Sequence, residues 1–328
     1  MQSTRLFPKG HGADGYRLSG IAARCDWVVL SDVHPPCTVL VEQRPGPTPR
    51  HVFLSLREPF AALAFFQQRV LPRIEAPFRL VSGSEDVTLP QQTDRRWRAY
   101  TAQESAIITA ILDDPRVLCW AAENLVSREH PRWRPLPLGL TFPDGEAYRS
   151  LQVCGSVAPR QSQRPVRLLC AHRIRSGAQW DRRRQVHRLC RERLSAWATV
   201  LEQEVSEQRY QQLLRMHAFV ICAEGGGIDP SPRAWQALLQ GAIPIMRRSA
   251  LEGAYRQLPV VMVEAWSEVE LHWDHLRHWQ QELMPWFDQP ALRAEVLQRL
   301  SLEHWWQWIN SDDPEAGFPS VRDAAWPR

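Results

Sequence analysis

The stretch Phe219–Met246, FVICAEGGGIDPSPRAWQALLQGAIPIM, has the composition of a strand, a glycine turn, a helix and a second strand. Its first residues, Phe219–Cys222, are apolar and partly β-branched, as in a buried strand. Gly225–Gly227 follow, and consecutive glycines let a backbone turn sharply and approach a ligand closely. Ala234–Gln240 has helix-forming composition, and Gly241 is the residue expected just after the last turn. The stretch therefore predicts one unit of an α/β sheet.

The residues that precede this predicted helix favour an anionic ligand. Asp229–Pro232 offers helix-start chemistry, with a side chain that can cap and a proline near the first turn. Arg233 would lie in that turn, where a cation is unfavourable unless an anion is nearby. A guanidinium beside backbone N–H groups at the carboxyl end of a strand suits a diphosphate. From local chemistry alone, an ordinary tight turn explains the glycines equally well.

Composition limits the classes of function. The chain has 328 residues, of which 44% are hydrophobic, and this length accommodates two domains. Its net charge of +4 is mildly basic and lacks the charge signature of a nucleic-acid-binding protein. The charge is compatible with an anionic small ligand or with a loose encounter with a membrane surface. We therefore expect no nucleic-acid partner.

Cysteine usage and hydropathy predict the compartment. The seven cysteines are odd in number and no pair has metal-ligand spacing, so we expect buried free thiols and no metal site. Such thiols fit a reducing cytoplasm. No apolar core follows Met1–Arg5, and no stretch is long and apolar enough to span a bilayer. The sequence thus predicts a cytoplasmic protein, with peripheral contact at the inner membrane face left open.

Strands alternate with helices in both halves of the chain, which predicts two α/β layers with parallel sheets. The expected strands are Asp26–Leu30, Thr38–Glu42, His51–Leu56, Phe78–Ser82, Val117–Ala121, Val166–Ala171, Phe219–Cys222, Ala242–Met246 and Leu258–Val263. A polar stretch from about residue 144 to 165 marks the boundary. We predict domains over residues 1–160 and 161–290, and a helical tail over 291–328 that packs back on them.

Phe219–Met246 also resembles the donor-binding motif of exostosin-like glycosyltransferases. In that family a glycine turn with Ile-Asp and an Arg leads into an Arg-x-x-Glu-Ala-Leu helix, which is followed by Gly-x-Ile-Pro-Ile. The matching residues here are Gly225–Asp229, Arg233, Ala237–Leu238 and Gly241–Ile245. Weaker matches extend the resemblance over about residues 50 to 270, at Val70–Asp86, Asn124–Leu140, Leu258–Val261 and Trp266–Val269.

The resemblance implies the GT-B architecture, in which two Rossmann-like domains with parallel sheets face each other across a cleft. It further implies transfer of a hexosyl or glycuronosyl group from a UDP- or GDP-type nucleotide sugar to a hydroxyl of a glycan or lipid-linked acceptor. The products would be polysaccharides or glycolipids. Neither a metal nor a further cofactor is required in such enzymes.

One departure from the family motif opens an alternative. Gln236 stands where the family has Glu, and an amide carries no charge and cannot act as a base. A non-catalytic relative that binds a nucleotide sugar or a glycan is therefore the second interpretation. A third is another α/β enzyme with a phosphorylated ligand.

The candidate site residues follow from these expectations. His172 and Arg173 come directly after the first strand of the second half, and so are expected at the ligand edge of its sheet. The predicted donor-binding residues are Gly225, Gly226, Gly227, Ile228, Asp229, Ser231, Arg233, Gln236, His172 and Arg173. The catalytic base is expected from the first half, where Asp32, His34 and Asp86 each follow a predicted strand. A turn or helix-capping role is the alternative for each of these three.

Overall fold

The computed structural model describes residues 18–140, 158–230 and 232–312, which divide into two compact units. The first unit consists of residues 18–140, 226–229 and 305–312, and the second of the other described residues. Most of the predicted boundary stretch lies outside the described residues, as do residues 313–328 of the predicted tail. The domain limits therefore stay a prediction.

The first unit is built on six strands in the order β2-β1-β3-β4-β5-β6. These are β1 (Trp27–Val33), β2 (Pro36–Glu42), β3 (His51–Ser55), β4 (Phe78–Gly83), β5 (Val117–Ala122) and β6 (Trp133–Pro135). Its helices are α1 (Pro59–Phe65), which continues as a π-helical segment and a 3-10 turn to Arg73, and α2 (Ala102–Asp113). The predicted strand segments of this half are thus confirmed as strands, and β1, β3, β4 and β5 are mostly buried, whereas β2 is not.

One strand of this sheet corrects the prediction of parallel sheets. β2 runs antiparallel to β1, with Val29 opposite Leu40, whereas all other neighbours in the sheet are parallel. The physical reason is the two-residue link His34–Pro35 between the strands. A link of this length closes a hairpin, whereas a parallel pair needs a crossover of about a dozen residues or more.

The second unit has five parallel strands in the order β11-β10-β9-β7-β8. These are β7 (Leu168–Cys170), β8 (Ala198–Val200), β9 (Phe219–Ile221), β10 (Ile243–Arg247) and β11 (Val261–Val263). Its helices are α3 (Asp181–Glu192), α4 (Glu207–Met216), α5 (Arg233–Leu239), α6 (Glu252–Tyr255), α7 (Trp273–Leu283), α8 (Pro285–Asp288) and α9 (Pro290–Arg299). A last helix, α10 (Leu302–Asn310), begins in this unit, and its residues from Trp305 onward belong to the first. The edge strand β8 is short and was not among the predicted strands.

The strand order of the second unit determines where a ligand can bind. Counted along the chain from β7, the strands read 2-1-3-4-5 from the β8 edge. The order reverses between β7 and β9, because the chain first adds β8 on one side of β7 and then β9 on the other. In doubly wound sheets the crevice beyond the carboxyl ends of the strands at such a reversal is the usual ligand site.

The stretch Phe219–Met246 folds as its sequence predicted, into β9, α5 and β10. Gly241 has φ +78°, and its N–H donates to the Leu238 carbonyl while that of Ala242 donates to Ala237. This pair of hydrogen bonds is the Schellman motif, which closes a helix with a left-handed glycine. The predicted end of the helix is confirmed.

The sequence Trp266-Ser267-Glu268 predicts the start of a helix, but the helix begins later. Ser267 instead heads a tight turn, in which its hydroxyl accepts the Glu270 N–H and its carbonyl accepts that of Leu271. α7 starts only at Trp273, where His272 caps the Asp274 N–H. The prediction was wrong because a local side-chain turn competes with the first turn of a helix.

α10 ends within the first unit, and two arginines bind its last carbonyl groups. Arg134 Nη1 donates to the carbonyls of Trp308, Ile309 and Ser311 at 3.2, 3.0 and 2.6 Å. Arg79 Nη2 donates to the Asn310 carbonyl at 3.1 Å. Cations at a helix C-terminus satisfy free carbonyls and favour the helix dipole. Among the described residues, no helix combines the length and apolarity that crossing a bilayer requires.

His304, in the first turn of α10, makes stability depend on pH. Burial lowers its pKa from an ordinary 6.5 to about 4, and Arg299 adds to the effect. The fold thus holds the neutral imidazole, so its contribution is complete above pH 6.5 and is lost as the pH falls toward 4. Between pH 7 and pH 5 we expect a loss of about 2 kcal/mol from this residue.

The comparison of wild type with His304→Gln isolates this contribution. Melting temperatures at pH 7 and pH 5 should differ by several degrees more in the wild type than in the variant. An equal fall in both proteins would contradict the buried neutral histidine.

Candidate functional site

The candidate site lies at the carboxyl ends of β7 and β9, which are neighbouring strands of the second unit. The loop that leaves β7 carries His172 and Arg173, and the loop that leaves β9 carries Glu224 and Gly225. This is the edge at which the strand order reverses. The first turn of α3, which follows the β7 loop, also contacts this edge through its arginines.

The carboxylate of Glu224 accepts hydrogen bonds from three side chains at this edge. Its side chain is only 7% exposed, and Arg182 Nη1 and Arg247 Nε donate to its Oε1 at 2.9 and 2.7 Å. Trp266 Nε1 donates to Oε2 at 3.3 Å. One buried carboxylate thus holds the first turn of α3 and the end of β10 in a fixed relation.

Arg183 lies directly against the glycine turn. Its Nε donates to the Glu224 carbonyl at 3.0 Å, and its guanidinium stacks 4.7 Å from the centre of the Trp180 ring. A Cβ at Gly225 would lie 2.7 Å from Arg183 Nη2. Glycine at this position therefore lets the guanidinium approach the backbone.

The cluster around Glu224 is rich in cations. The carboxylate of Glu224 is shared by Arg182 and Arg247, and Arg183 donates to the backbone carbonyl of the same residue, so three guanidiniums meet at Glu224. Asp181, in the same first turn of α3, is engaged by Arg184. Cations at the amino end of a helix are unfavourable without an anion. Such a cluster of guanidiniums is chemically suited to an anionic ligand, such as a diphosphate.

The structure places the two predicted residues after β7 differently. His172 is buried, and its Nε2 lies 2.8 Å from the Arg183 carbonyl, which can only accept, so Nε2 carries the proton. Arg173 is exposed and its guanidinium pairs with Glu204. His172 therefore binds the backbone of the arginine cluster at Arg183, whereas Arg173 lies on the surface.

The two predicted residues of α5 lie in the first half of this helix. Arg233 is half-buried beside Tyr210, whose pKa is raised to about 12 by burial while the nearby guanidinium opposes the rise. Gln236, one turn further along, is also half-buried. Ser231 lies outside the described residues.

Gly226–Asp229 belongs to the first unit and is bound there by Asn124. Asn124 Oδ1 accepts the N–H groups of Ile228 and Asp229 at 2.9 Å each. The Asp229 carboxylate accepts the Leu138 N–H at 2.6 Å, so it does not cap α5. These two amides are therefore occupied. Within the described residues, no acceptor contacts the N–H groups of Gly225–Gly227.

Asp86 lies beside the same segment. A Cβ at Gly227 would lie 2.9 Å from the Asp86 carbonyl, and one at Gly226 would lie 2.3 Å from Arg96 Nη2. Arg96 Nη2 in turn donates to the carboxylates of Asp86 and Asp94 at 2.7 and 2.6 Å. The structure thus places the predicted base Asp86 and its partner Arg96 beside Gly227 and Gly226 of the predicted turn.

The other two predicted bases have different surroundings. The Asp32 side chain is 2% exposed and lies 3.2 Å from Arg57 Nη2, which is itself buried. It also accepts the Val33 N–H at 2.8 Å. His34 is exposed in the β1–β2 hairpin link. Asp32 is thus held in a buried ion pair, and His34 faces solvent.

Gly227→Ala is expected to destabilise the protein by about 2 kcal/mol, as for overpacking in a close-packed site. The new Cβ would lie 2.2 Å from Asn124 Oδ1, which would have to release the amides of Ile228 and Asp229. Gly225→Ala is the matched control, because there the nearest atom is the end of a flexible arginine. Thermal unfolding of both variants tests this, and equal melting temperatures would contradict it.

Sequence reasoning missed several residues of the site. The sequence predicts a helix over about Trp180–Leu194, and Arg182–Arg184 lies near its start, so a run of cations at a helix start was a visible signal. Glu224 and Arg247 are joined only in three dimensions, and Asn124 is separated from Ile228 by 104 positions. No local pattern marks such partners.

Comparisons with known proteins add no assignment. No protein-family model matches the chain. A search of curated protein sequences likewise finds no match. Among the described residues, no group of three or more His, Cys, Asp and Glu side chains is arranged to hold a metal ion.

Proposed function

We propose that this protein is a GT-B glycosyltransferase that transfers a sugar from a nucleotide-sugar donor to an acceptor hydroxyl. The observation that carries the proposal is the convergence of three guanidiniums, those of Arg182, Arg183 and Arg247, on Glu224 at the strand reversal of the second unit. The resemblance of Phe219–Met246 to the exostosin-like donor motif supports it independently. A cytoplasmic location and a glycan or lipid-linked acceptor belong to the same proposal.

The residues take the following roles in this mechanism. The leaving nucleoside diphosphate carries growing negative charge in the transition state, and preorganised guanidiniums stabilise that charge. Arg182, Arg183 and Arg247 supply these guanidiniums, and the N–H group of Gly225 is a further donor. Glu224 holds the arginines in place before the donor arrives, so little reorganisation is needed. Arg233 and Gln236 lie near the nucleotide.

Asp86 is the proposed general base. It would accept the proton of the acceptor hydroxyl as that oxygen attacks the anomeric carbon of the donor sugar. The bond from this carbon to the diphosphate breaks in the same step, and the nucleoside diphosphate leaves. The arginine cluster therefore acts on the leaving group, and the carboxylate acts on the nucleophile.

The test is a thermal-shift panel with UDP, GDP, CMP, TDP and inorganic pyrophosphate. A ligand at about 100 times its dissociation constant stabilises the folded state by about 2.7 kcal/mol, so a diphosphate should raise the melting temperature by several degrees. Arg182→Ala combined with Arg183→Ala should abolish the shift. Removing two hydrogen bonds to a charged group costs about 3 kcal/mol or more, which is over a hundredfold in affinity.

The matched control is Arg209→Ala combined with Arg277→Ala, which removes the same charge from α4 and α7. These residues are exposed and lie on other helices of the second unit. The control should keep the full shift. A panel without any shift, or an equal loss in both double variants, would count against the proposed donor site.

The second candidate is a non-catalytic nucleotide-sugar or glycan-binding relative. Gln236 favours it, because the position lacks the carboxylate that the resembled family has. A donor that binds but is neither transferred nor hydrolysed in the presence of an acceptor panel would select this candidate. Turnover of any donor would exclude it.

A further inference from the structure

The positive charge of the chain is concentrated in one segment of the second unit. Residues 173–193 hold eight arginines and two carboxylates and so carry a net charge of +6, whereas the rest of the chain, with 32 basic and 34 acidic residues, carries −2. The mildly basic character of the whole protein therefore comes from this segment alone.

α3 presents part of this charge as a stripe. Arg184, Arg188 and Arg191 are spaced four and three residues apart, which places them on one face of the helix. The opposite side of α3 is buried through Val186 and Cys190. Arg188 and Arg191 are exposed, so the stripe faces solvent.

The loop before α3 adds an apolar residue to the same surface. Arg184 Nη1 and Nη2 donate to the carbonyls of Arg175 and Gly177 at 2.7 and 3.0 Å, which holds the loop against the start of the stripe. Arg175 is exposed. Ile174, between two arginines, is 40% exposed. We call Ile174, Arg175, Arg184, Arg188 and Arg191 the basic face.

The carboxylates around the basic face do not neutralise it. Asp181 pairs with Arg184 and Glu192 pairs with Arg191, both near the surface, where such pairs are weak. Arg188 makes no ion pair with any described residue. Glu202 and Glu204, which follow β8, lie against His187 and Arg173 instead.

We propose that the basic face docks the protein on an anionic lipid bilayer. Clustered arginines on a helix attract anionic headgroups, and an apolar side chain among them inserts at the boundary between headgroups and acyl chains. A nucleic-acid duplex would also attract the arginines, but it would leave Ile174 without a partner. This docking is separate from donor binding, because Arg182, Arg183 and Arg247 are not part of the basic face.

The experiment is cosedimentation of the full chain with phosphatidylcholine vesicles, with and without phosphatidylglycerol. Binding is expected only with phosphatidylglycerol, and it should weaken as salt is raised. Each arginine near an anionic surface contributes about fivefold in affinity, so Arg188→Ser with Arg191→Ser should bind about 25-fold more weakly. Ile174→Ser should bind about threefold more weakly, because only part of that side chain is left to bury.

The control is Arg209→Ser with Arg277→Ser, which removes the same charge from α4 and α7 and should keep full binding. Both double variants should also keep the nucleotide thermal shift, so failure of lipid docking and failure of donor binding are distinguishable. Three outcomes would overturn the proposal: equal binding to pure phosphatidylcholine, equal losses in the two double variants, or a labelled DNA duplex that binds more tightly than the vesicles through the same arginines.

Discussion

Arg164→Ala is expected to lower the free energy of unfolding of the second unit by about 4 kcal/mol, the scale for removing a buried, fully hydrogen-bonded charge. Arg164 is 5% exposed, and its guanidinium donates to the carbonyls of Leu214 and His217 at 2.8 and 3.1 Å. It also donates to the carbonyls of Pro159 and Gln240. Alanine would leave these buried oxygens without a donor.

This arginine and a second one bind the carbonyls at the end of α5. Gln240 is the C-cap residue of α5. The carbonyls of Leu238 and Leu239, in the last turn, accept from a second buried guanidinium, that of Arg293, at 2.8 Å each. Burial lowers the pKa of Arg164 to about 9 and that of Arg293 to about 10. Both nevertheless stay charged at neutral pH, where their acceptors are the carbonyls at the end of α5.

Thermal unfolding measures the effect, with Arg160→Ala as the matched control. Arg160 precedes the same segment and is exposed, so its removal should change the melting temperature by less than about 2 °C. For Arg164→Ala a fall of about 8–16 °C is expected. A fall no larger than that of Arg160→Ala would show that the buried hydrogen bonds contribute little.

Asp86→Asn is expected to reduce sugar transfer by about 10²- to 10⁴-fold, the usual contribution of a positioned general base. The amide is almost isosteric with the carboxylate but cannot accept the acceptor proton. Asp86 is preferred because its carbonyl lies beside Gly227, whereas Asp32 is held in a buried ion pair and His34 faces solvent. Its carboxylate is also partly exposed, with 24% of the side chain accessible.

The measurement is turnover of the donor found in the thermal-shift panel, together with the nucleotide shift of each variant. Asp86→Asn should keep that shift, because the proposed base does not touch the nucleotide. Asp32→Asn should instead lower the melting temperature, since it leaves Arg57 buried without its charge partner. Unchanged turnover in Asp86→Asn would remove this residue from the mechanism.

The sequence predicted the parts of the structure that local chemistry controls. Phe219–Met246 has a strand, a turn, a helix and a glycine stop in the expected order, because each is encoded within a few neighbouring residues. The antiparallel β2 was missed because strand propensity does not specify a partner. The late start of α7 was missed because Ser267 forms a competing local turn.

The candidate site was predictable only in outline. His172 and the glycines could be assigned to a ligand edge from their place after strands. Glu224 could not, because its role depends on Arg182 and Arg247, which are 42 and 23 positions away. Ile228 and Asp229 were predicted to bind the donor, but their amides donate to Asn124, which comes from a distant loop. Side chains that meet across the fold carry no signature in sequence spacing.

The most direct test of the account is the affinity of the full chain for UDP and GDP, measured by equilibrium dialysis for the wild type and for Arg183→Ala. We expect at least one of the two nucleotides to bind the wild type, and to bind the variant more than tenfold more weakly, since one charge-assisted hydrogen bond contributes about 1.5–3 kcal/mol. Absence of binding to the wild type, or equal affinity in the two proteins, would contradict a diphosphate site at Gly225 and Arg183.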